Sequence, residues 1–566
     1  MRRLPRLLPV SLALIGLSLV PRSIGINLFA TVDEPYWLTA GSDFYYALGQ
    51  REFASTVYDY HPAVTTMWIV AAAMLLYFPQ YRGFGQGYFD VYKDSLEQFL
   101  LAHERSPLGL LTTARLLQAL LITGLLIVLF FLLRRLLDER LALAATLMVA
   151  LDPFYLGHSR LINHEGIMTL FVLVAILSLM AYVFDDGRFL LLLTSGAAAG
   201  LAQLTKSSSI VIVPLAILLL LAGPASSPAR DRSRRLARRL RDLGIWLASL
   251  VGTYAILWPG MWTEPARMLQ EVFGNALSYG LGGTRLSAAV PGATLSFHPS
   301  LVDVGLYLQS MAWRTTPVVW VGAILAVLAL IGMDPRRRLV LLVLAFTGAL
   351  FIAMFGIAQG RNSAHYVLTS YAALDIIAAV GYCELVSRWA ARLWPAKARL
   401  VPALVVSGVV ALQAASALPF FPYYYTYFNP LMEASEAGRQ NPNFGYGEGL
   451  DLAAAYLDAK PGASEATAVA FYGRGPFSYF FRGETEPLKT VYAEAENVPQ
   501  LQQVLRRSQY LVIYYALQHG RNAPANVMLA LEDLTPETTI WLNGIEYVRV
   551  YALHELPSDF YDRLWP

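Results

Sequence analysis

What most limits the fold of this chain is its succession of long apolar segments, with arginine clusters in every second connection between them. Each segment approaches the roughly 20 residues that a helix needs to cross a bilayer. Within lipid only helices and closed barrels satisfy their own backbone. The 566 residues are 56% hydrophobic and only 15% charged, with mean hydropathy +0.46. A soluble chain of this length would need several domains and far more surface charge. A polytopic α-helical membrane protein follows. The formal net charge of +3 gives no footprint for nucleic acid. The single Cys383 lies in an apolar run, which excludes a disulfide framework and a thiolate metal site.

The basic residues order the map. Arg2, Arg3 and Arg6 hold the N-terminus in the cytoplasm ahead of a first span that ends near Leu19. A cleaved signal peptide is disfavoured, because no A-x-A site is clear and an acidic loop follows at once. Residues 26–107 then form a long outer loop. Its apolar stretch 64–78 is expected to be juxtamembrane or re-entrant. A crossing there would send Arg134, Arg135 and Arg140 outside and invert every later basic cluster. Further spans are expected at 110–133, 141–155, 166–184, 190–204, 209–222, 243–258, 316–333, 339–355, 366–386 and 400–420. That makes about 11 spans, with every arginine cluster on one side. The arginine-rich loop 229–242 is a topology anchor that touches anionic lipid, in preference to a nucleic-acid site.

Residues 1–420 therefore form the membrane domain, and composition changes at Phe421. Residues 421–566 are expected to be an extracytoplasmic mixed α/β domain. Helices are expected at 448–457 and 498–507, and strands at 466–472 and 510–514. Strands 538–542 and 545–551 flank Asn543-Gly544, a strong two-residue hairpin signal.

The chemistry gathers on the outer side. Thr31-Val32-Asp33-Glu34-Pro35-Tyr36 places two carboxylates directly after a membrane exit, and Asp59-Tyr60-His61-Pro62 shares their loop. Later outer loops return Arg160, Glu165, Lys206, Arg361 and His365. Ionisable residues near a bilayer are costly and tend to be functional where they converge. A carboxylate at this boundary can take the proton of a hydroxyl nucleophile. Fixed cations suit a phosphate leaving group. Snorkelling is the bland account of Lys206, and topology pairing that of the arginines.

These segments resemble the GT-C glycosyltransferases, in particular the protein O-mannosyltransferase and aminoarabinose-transferase branch. Asp33-Glu34 matches its first outer loop, and Asp59-Tyr60-His61-Pro62 is similar to its D-x-H-P-P, with Ala63 in place of the second proline. Ser159-Arg160-Leu161-Ile162-Asn163-His164-Glu165 is similar to S-R-x-x-x-x-D, with Glu165 in place of aspartate. Residues 200–206 resemble G-L-A-x-L-T-K, and Thr316-Pro317 and His365-Tyr366 resemble later positions. Tyr427-Phe428-Asn429-Pro430 and Gly447-Glu448-Gly449-Leu450 resemble a bacterial Y-N-P…G-E-G-L pattern.

The resemblance implies a GT-C-like fold and a polyprenyl-phosphate-sugar donor that enters from the bilayer. The sugar would pass, with inversion, to an extracytoplasmic hydroxyl on a saccharide, lipid or protein. Asp33 is then expected as general base, with Glu34 binding the acceptor or tuning Asp33. Lys206, Arg160 and Arg361 are expected on the donor phosphate, and Asp59, His61, Glu165 and His365 around the substrates. Two lone histidines, His61 and His365, do not make a metal site; a divalent metal is left open and no other cofactor is called for. The rival readings are a transporter or flippase of lipid-linked sugars and a membrane anchor for the C-terminal domain. A transporter would place its ionisable residues at the membrane midplane, within broken helices.

Overall fold

The computed structural model describes residues 4–59, 61–222, 232–282, 301–358, 363–433, 445–515 and 523–565. Arg361 and Tyr60 lie outside them. The protein is a polytopic helical membrane protein with a small C-terminal sheet. Among the described residues, six helices are long and apolar enough to cross a bilayer, or up to eight if each of two bent pairs is one span. Four shorter apolar helices accompany them. The segments expected to span overlap these helices, but the four shorter ones fall below a bilayer's length, so the count of about 11 is not reached by length and composition.

A repeated device starts the helices. Ser106-Pro107, Asp152-Pro153, Thr316-Pro317 and Asp334-Pro335 each put an oxygen-bearing cap before a proline at the first helical position. The cap side chain accepts an amide N–H of the first turn, such as Tyr155 N at 2.8 Å from Asp152 Oδ1. Proline wastes no donor there. Thr316 also donates its hydroxyl to Gln413 Oε1 at 2.6 Å, tying this helix start to helix Leu400–Ala417.

Helix Glu165–Ala181 is buried along its whole length and is apolar all round, as a central helix must be. Helices Pro107–Leu136, Phe189–Thr205 and Leu368–Leu393 surround it. Gly196 and Gly200, one turn apart, let Phe189–Thr205 lie directly against helix Arg232–Leu257. A Cβ at either glycine would meet the Trp246 or Leu250 carbonyl at 2.6 Å.

Two expectations change. The arginine-rich segment is not wholly a loop, because Arg232–Leu257 is one continuous helix whose basic first turns run into its apolar part. The segment expected as the first outer loop also holds a helix, Glu34–Gln50, whose Trp37, Leu38, Phe44 and Tyr45 are buried. Val64–Tyr77 packs beside it with Met67, Val70 and Met74 buried. At 1.5 Å per residue this 14-residue helix reaches about 21 Å, short of a bilayer of about 30 Å.

In the C-terminal region the sheet order is β2 (Glu484–Pro487), β1 (Thr467–Ala470), β3 (Tyr510–Tyr514), β5 (Ile545–Ala552), β4 (Thr538–Leu542). The first three strands are parallel, while β5 runs antiparallel to β3 and β4. Helices Leu450–Asp458 and Val498–Arg507 lie where the sequence pattern puts them. Asn543 and Gly544 turn the hairpin with φ of 51° and 78°, the left-handed pair that a tight two-residue turn requires.

Candidate active site

The ends of several helices meet at one place. Helix Glu34–Gln50 starts there, with Pro35 in its first turn. Glu165–Ala181 and Val64–Tyr77 also start there, and Phe189–Thr205 ends there on Lys206.

Asp33 and Glu34 take opposite environments. Glu34 is fully buried, and its carboxylate is enclosed by donors. Arg115 Nε lies 2.7 Å from Oε1, and Arg115 Nη2 lies 2.5 Å from Oε2. The Ile162 amide donates to Oε1 at 2.9 Å, and Thr31 donates its amide and hydroxyl to Oε2 at 2.8 and 2.9 Å. Arg115 also donates to the carbonyls of Ile26 and Phe29. Glu34 and Arg115 together tie the chain around residues 26–34 to helix Pro107–Leu136.

Asp33 is exposed and accepts a hydrogen bond from the Tyr446 hydroxyl at 2.9 Å. The Tyr446 carbonyl accepts the Val32 amide at 3.1 Å, so the chain just before helix Leu450–Asp458 lies directly over the acidic loop. The Tyr446 ring stands 5.4 Å from His365 and 6.0 Å from His158 and Tyr425, centroid to centroid. Burial and the Asp33 carboxylate push the Tyr446 phenol well above its usual value, which keeps it a donor.

Lys206 and Glu165 form a buried pair at 2.5 Å. The ammonium lies 4.4 Å from the centre of the Tyr366 ring, next to His365. His164, at the start of the Glu165 helix, touches Trp37 edge-on at 4.1 Å and lies 5.9 Å from His61. Thr66 Oγ1 lies 3.0 Å from His164 Nδ1, and the Thr65 hydroxyl donates to Thr205 at 2.9 Å. Asp59 is half-buried in the loop ahead of Val64–Tyr77. Asp33, His365, Lys206, Glu165 and His61 thus belong to one chain of contacts through Tyr446, Tyr366 and His164. At Ala63 the backbone has φ of 52°, which a proline ring fixed near −65° cannot adopt. The missing second proline is therefore required by this backbone.

Arg160 is placed elsewhere. It is buried and donates to the Ile24 carbonyl at 2.6 Å and the Pro422 carbonyl at 3.4 Å, between the rings of Phe29 and Tyr424. Its guanidinium clamps the end of the first helix to the chain entering the C-terminal region. Arg115 and Arg22 are the cations the sequence reading passed over. Arg22 donates to Ser159 Oγ at 2.8 Å and to the Ser18 and Ala150 carbonyls. Their signal was an ionisable group inside or at the end of an apolar run, which requires a partner.

Among the described residues no three His, Cys, Asp or Glu side chains group to hold a metal ion. A cavity of about 860 Å³ is lined by Asp138, Arg337, Cys383 and Glu384. It lies at the other end of the bundle and shares no residue with the Asp33 cluster.

Fold and site together define a polytopic membrane protein with an exposed carboxylate and a buried Lys206–Glu165 ion pair at one end of the helix bundle. Within that class, residues 110–257 match the family described as dolichyl-phosphate-mannose-protein mannosyltransferase. The match covers less than half of the chain and contains Arg115, Arg160, Glu165 and Lys206. It is a likeness to the lipid-carrier-dependent glycosyltransferases, the group that the sequence motifs resemble. No curated protein sequence matches the chain.

Among solved structures, the protein is similar to ArnT from Cupriavidus metallidurans bound to undecaprenyl phosphate, at 14% identity and TM-score 0.47, covering 95% of this chain and 97% of that one. It is also similar to the Archaeoglobus fulgidus oligosaccharyltransferase at 11% identity and TM-score 0.40, covering 90% and 69%. The S. cerevisiae protein O-mannosyltransferase Pmt1-Pmt2 complex overlaps at 16% identity and TM-score 0.33, over 51% and 37%.

Proposed function

We propose that the protein is a membrane glycosyltransferase that moves a sugar from a polyprenyl-phosphate donor to an extracytoplasmic hydroxyl, with inversion. The observation that carries this is an exposed carboxylate, Asp33, joined through aromatic side chains to a buried Lys206–Glu165 pair at the bundle end. The acceptor oxygen attacks the anomeric carbon from the face opposite the phosphate. The carbon–oxygen bond to phosphate breaks and its electron pair leaves on the lipid phosphate, while the acceptor proton passes to Asp33. Lys206 supplies a cation for that phosphate once it leaves Glu165, and Arg361 remains a second candidate. His61, His365 and Asp59 border the space for the sugar and the acceptor.

The flippase reading would rest on Asp375, buried within the bundle. Helix Leu368–Leu393 runs unbroken through it, whereas transporter sites use interrupted helices. A panel of polyprenyl-phosphate sugars incubated with purified protein and candidate acceptors separates the two. The enzyme releases polyprenyl phosphate and a glycosylated product. Donor movement across proteoliposomes without release would leave the flippase.

Removing Lys206 alone strands a buried carboxylate, so the phosphate role is tested by Lys206→Met/Glu165→Gln against Glu165→Gln. Loss of a charge-assisted contact of about 1.5–3 kcal/mol weakens donor binding by about 10- to 150-fold. Equal donor affinity in the two proteins would remove Lys206 from the phosphate.

The site and the C-terminal region are assigned to the extracytoplasmic side by the arginine clusters. Single cysteines at Ser55, Ser233 and Ser464, with Cys383 replaced, report this to an impermeant thiol reagent on intact cells. Ser55 and Ser464 positions label and Ser233 does not; labelling at Ser233 reverses the map.

A further inference from the structure

The segment 445–449 is built as a rigid strap. Gly445, Gly447 and Gly449 have φ of 153°, 100° and 84°, so the turn depends on residues without a Cβ. A Cβ at Gly447 would lie 2.7 Å from the Pro476 ring. Buried Glu448 staples the strap from inside, accepting the Tyr446 amide at 2.8 Å and the Tyr514 hydroxyl of β3. The same Tyr514 oxygen accepts the Gly447 amide at 3.2 Å. A strand of the C-terminal sheet therefore fixes the height and direction of Tyr446.

We propose that Tyr446 is a positioning residue for the general base, and that the C-terminal region, through this strap, completes an active site otherwise built from the membrane helices. The inference rests on the glycosyltransferase reading with Asp33 as base. Three contacts carry it. The Tyr446 hydroxyl donates to Asp33, its carbonyl holds Val32 beside it, and its ring is walled by His158, His365 and Tyr425. The other ionisable groups near this ring are Glu165 and Tyr366. Next to Asp33, the Glu34 charge is matched by Arg115. The Tyr446 hydroxyl, donating to Oδ2, stops the Asp33 side chain from rotating away. Held geometry is worth orders of magnitude in such a transfer.

A donor to a carboxylate favours its charged form. Tyr446→Phe therefore raises the Asp33 pKa, and the acid limb of the turnover profile moves to higher pH by about one to two units. Turnover on the plateau falls about 10-fold or more, while the affinity for polyprenyl-phosphate sugar stays unchanged. Tyr514→Phe, which loosens the strap without touching Asp33, gives a smaller change of the same sign and carries the test if Tyr446→Phe does not fold.

A lower melting temperature with an unmoved acid limb and normal plateau would make Tyr446 merely structural and overturn the proposal. A rise confined to the acceptor KM would overturn it equally, making the hydroxyl an acceptor contact. The two readings fail separately. Wild-type turnover in Asp33→Asn removes the base itself, whereas an inactive Asp33→Asn beside an unaltered Tyr446→Phe removes only the strap's role.

Discussion

Asp33→Asn is expected to lower turnover by about 10²–10⁴-fold, the range for loss of a general base, while donor affinity and stability stay near wild type. The acceptor hydroxyl is a poor nucleophile until its proton begins to leave. A carboxylate, weak as a base in water, suffices when it is held against that hydroxyl and the proton moves late. Asp33 meets the steric condition because it is exposed at the site, oriented by the Tyr446 hydroxyl that donates to Oδ2. Asparagine keeps the shape and can still accept that hydrogen bond, so little folding energy is at stake. The Lys206–Glu165 pair is untouched, so donor binding persists. Single-turnover rates and donor affinities for Asp33→Asn are the decisive measurements. Near-normal turnover would end the general-base assignment.

The outer carboxylates were legible as a pair but not as individuals. Asp33 and Glu34 are adjacent and chemically alike, and a sequence gives no reason to separate their roles. The separation comes from helix initiation, because the helix begins at Glu34. Consecutive side chains there leave in different directions, one towards Arg115 and one towards Tyr446. Arg115 itself was hidden inside a 30-residue apolar helix, where one arginine barely alters the hydropathy. Helix Glu34–Gln50 was also missed, since its mixture of aromatic, glycine and polar residues gives no clean 3.6-residue period. In the C-terminal region β3, β4 and β5 were readable from aromatic and β-branched runs and from Asn543-Gly544. β2 is Glu-Thr-Glu-Pro at a sheet edge, a composition that no strand pattern selects. The approach of Tyr446 to Asp33 spans 413 positions and has no sequence signal. Only the fold brings the motifs around 33 and 447 together.

The second large effect is on stability. Glu34→Gln is expected to destabilise the protein by about 3–5 kcal/mol, because it leaves the Arg115 guanidinium buried without its counter-charge. Both side chains are fully buried, so solvent cannot screen the remaining cation. The Ile162 and Thr31 donors also lose a charged acceptor. The geometry that makes the pair strong, two parallel contacts of guanidinium on carboxylate, makes its rupture costly. Glu34→Gln/Arg115→Gln removes both charges and should recover part of the loss. The recovery is incomplete, since the Ile26 and Phe29 carbonyls no longer meet Arg115. Thermal unfolding of the detergent-solubilised wild type, both single variants and the double closes the cycle, and non-additivity measures the pair directly. If Glu34→Gln melts with the wild type yet loses turnover, the residue acts in the chemistry and the base assignment moves to it. If it melts early and its folded fraction turns over normally, Glu34 is the brace that holds Asp33 at the membrane surface.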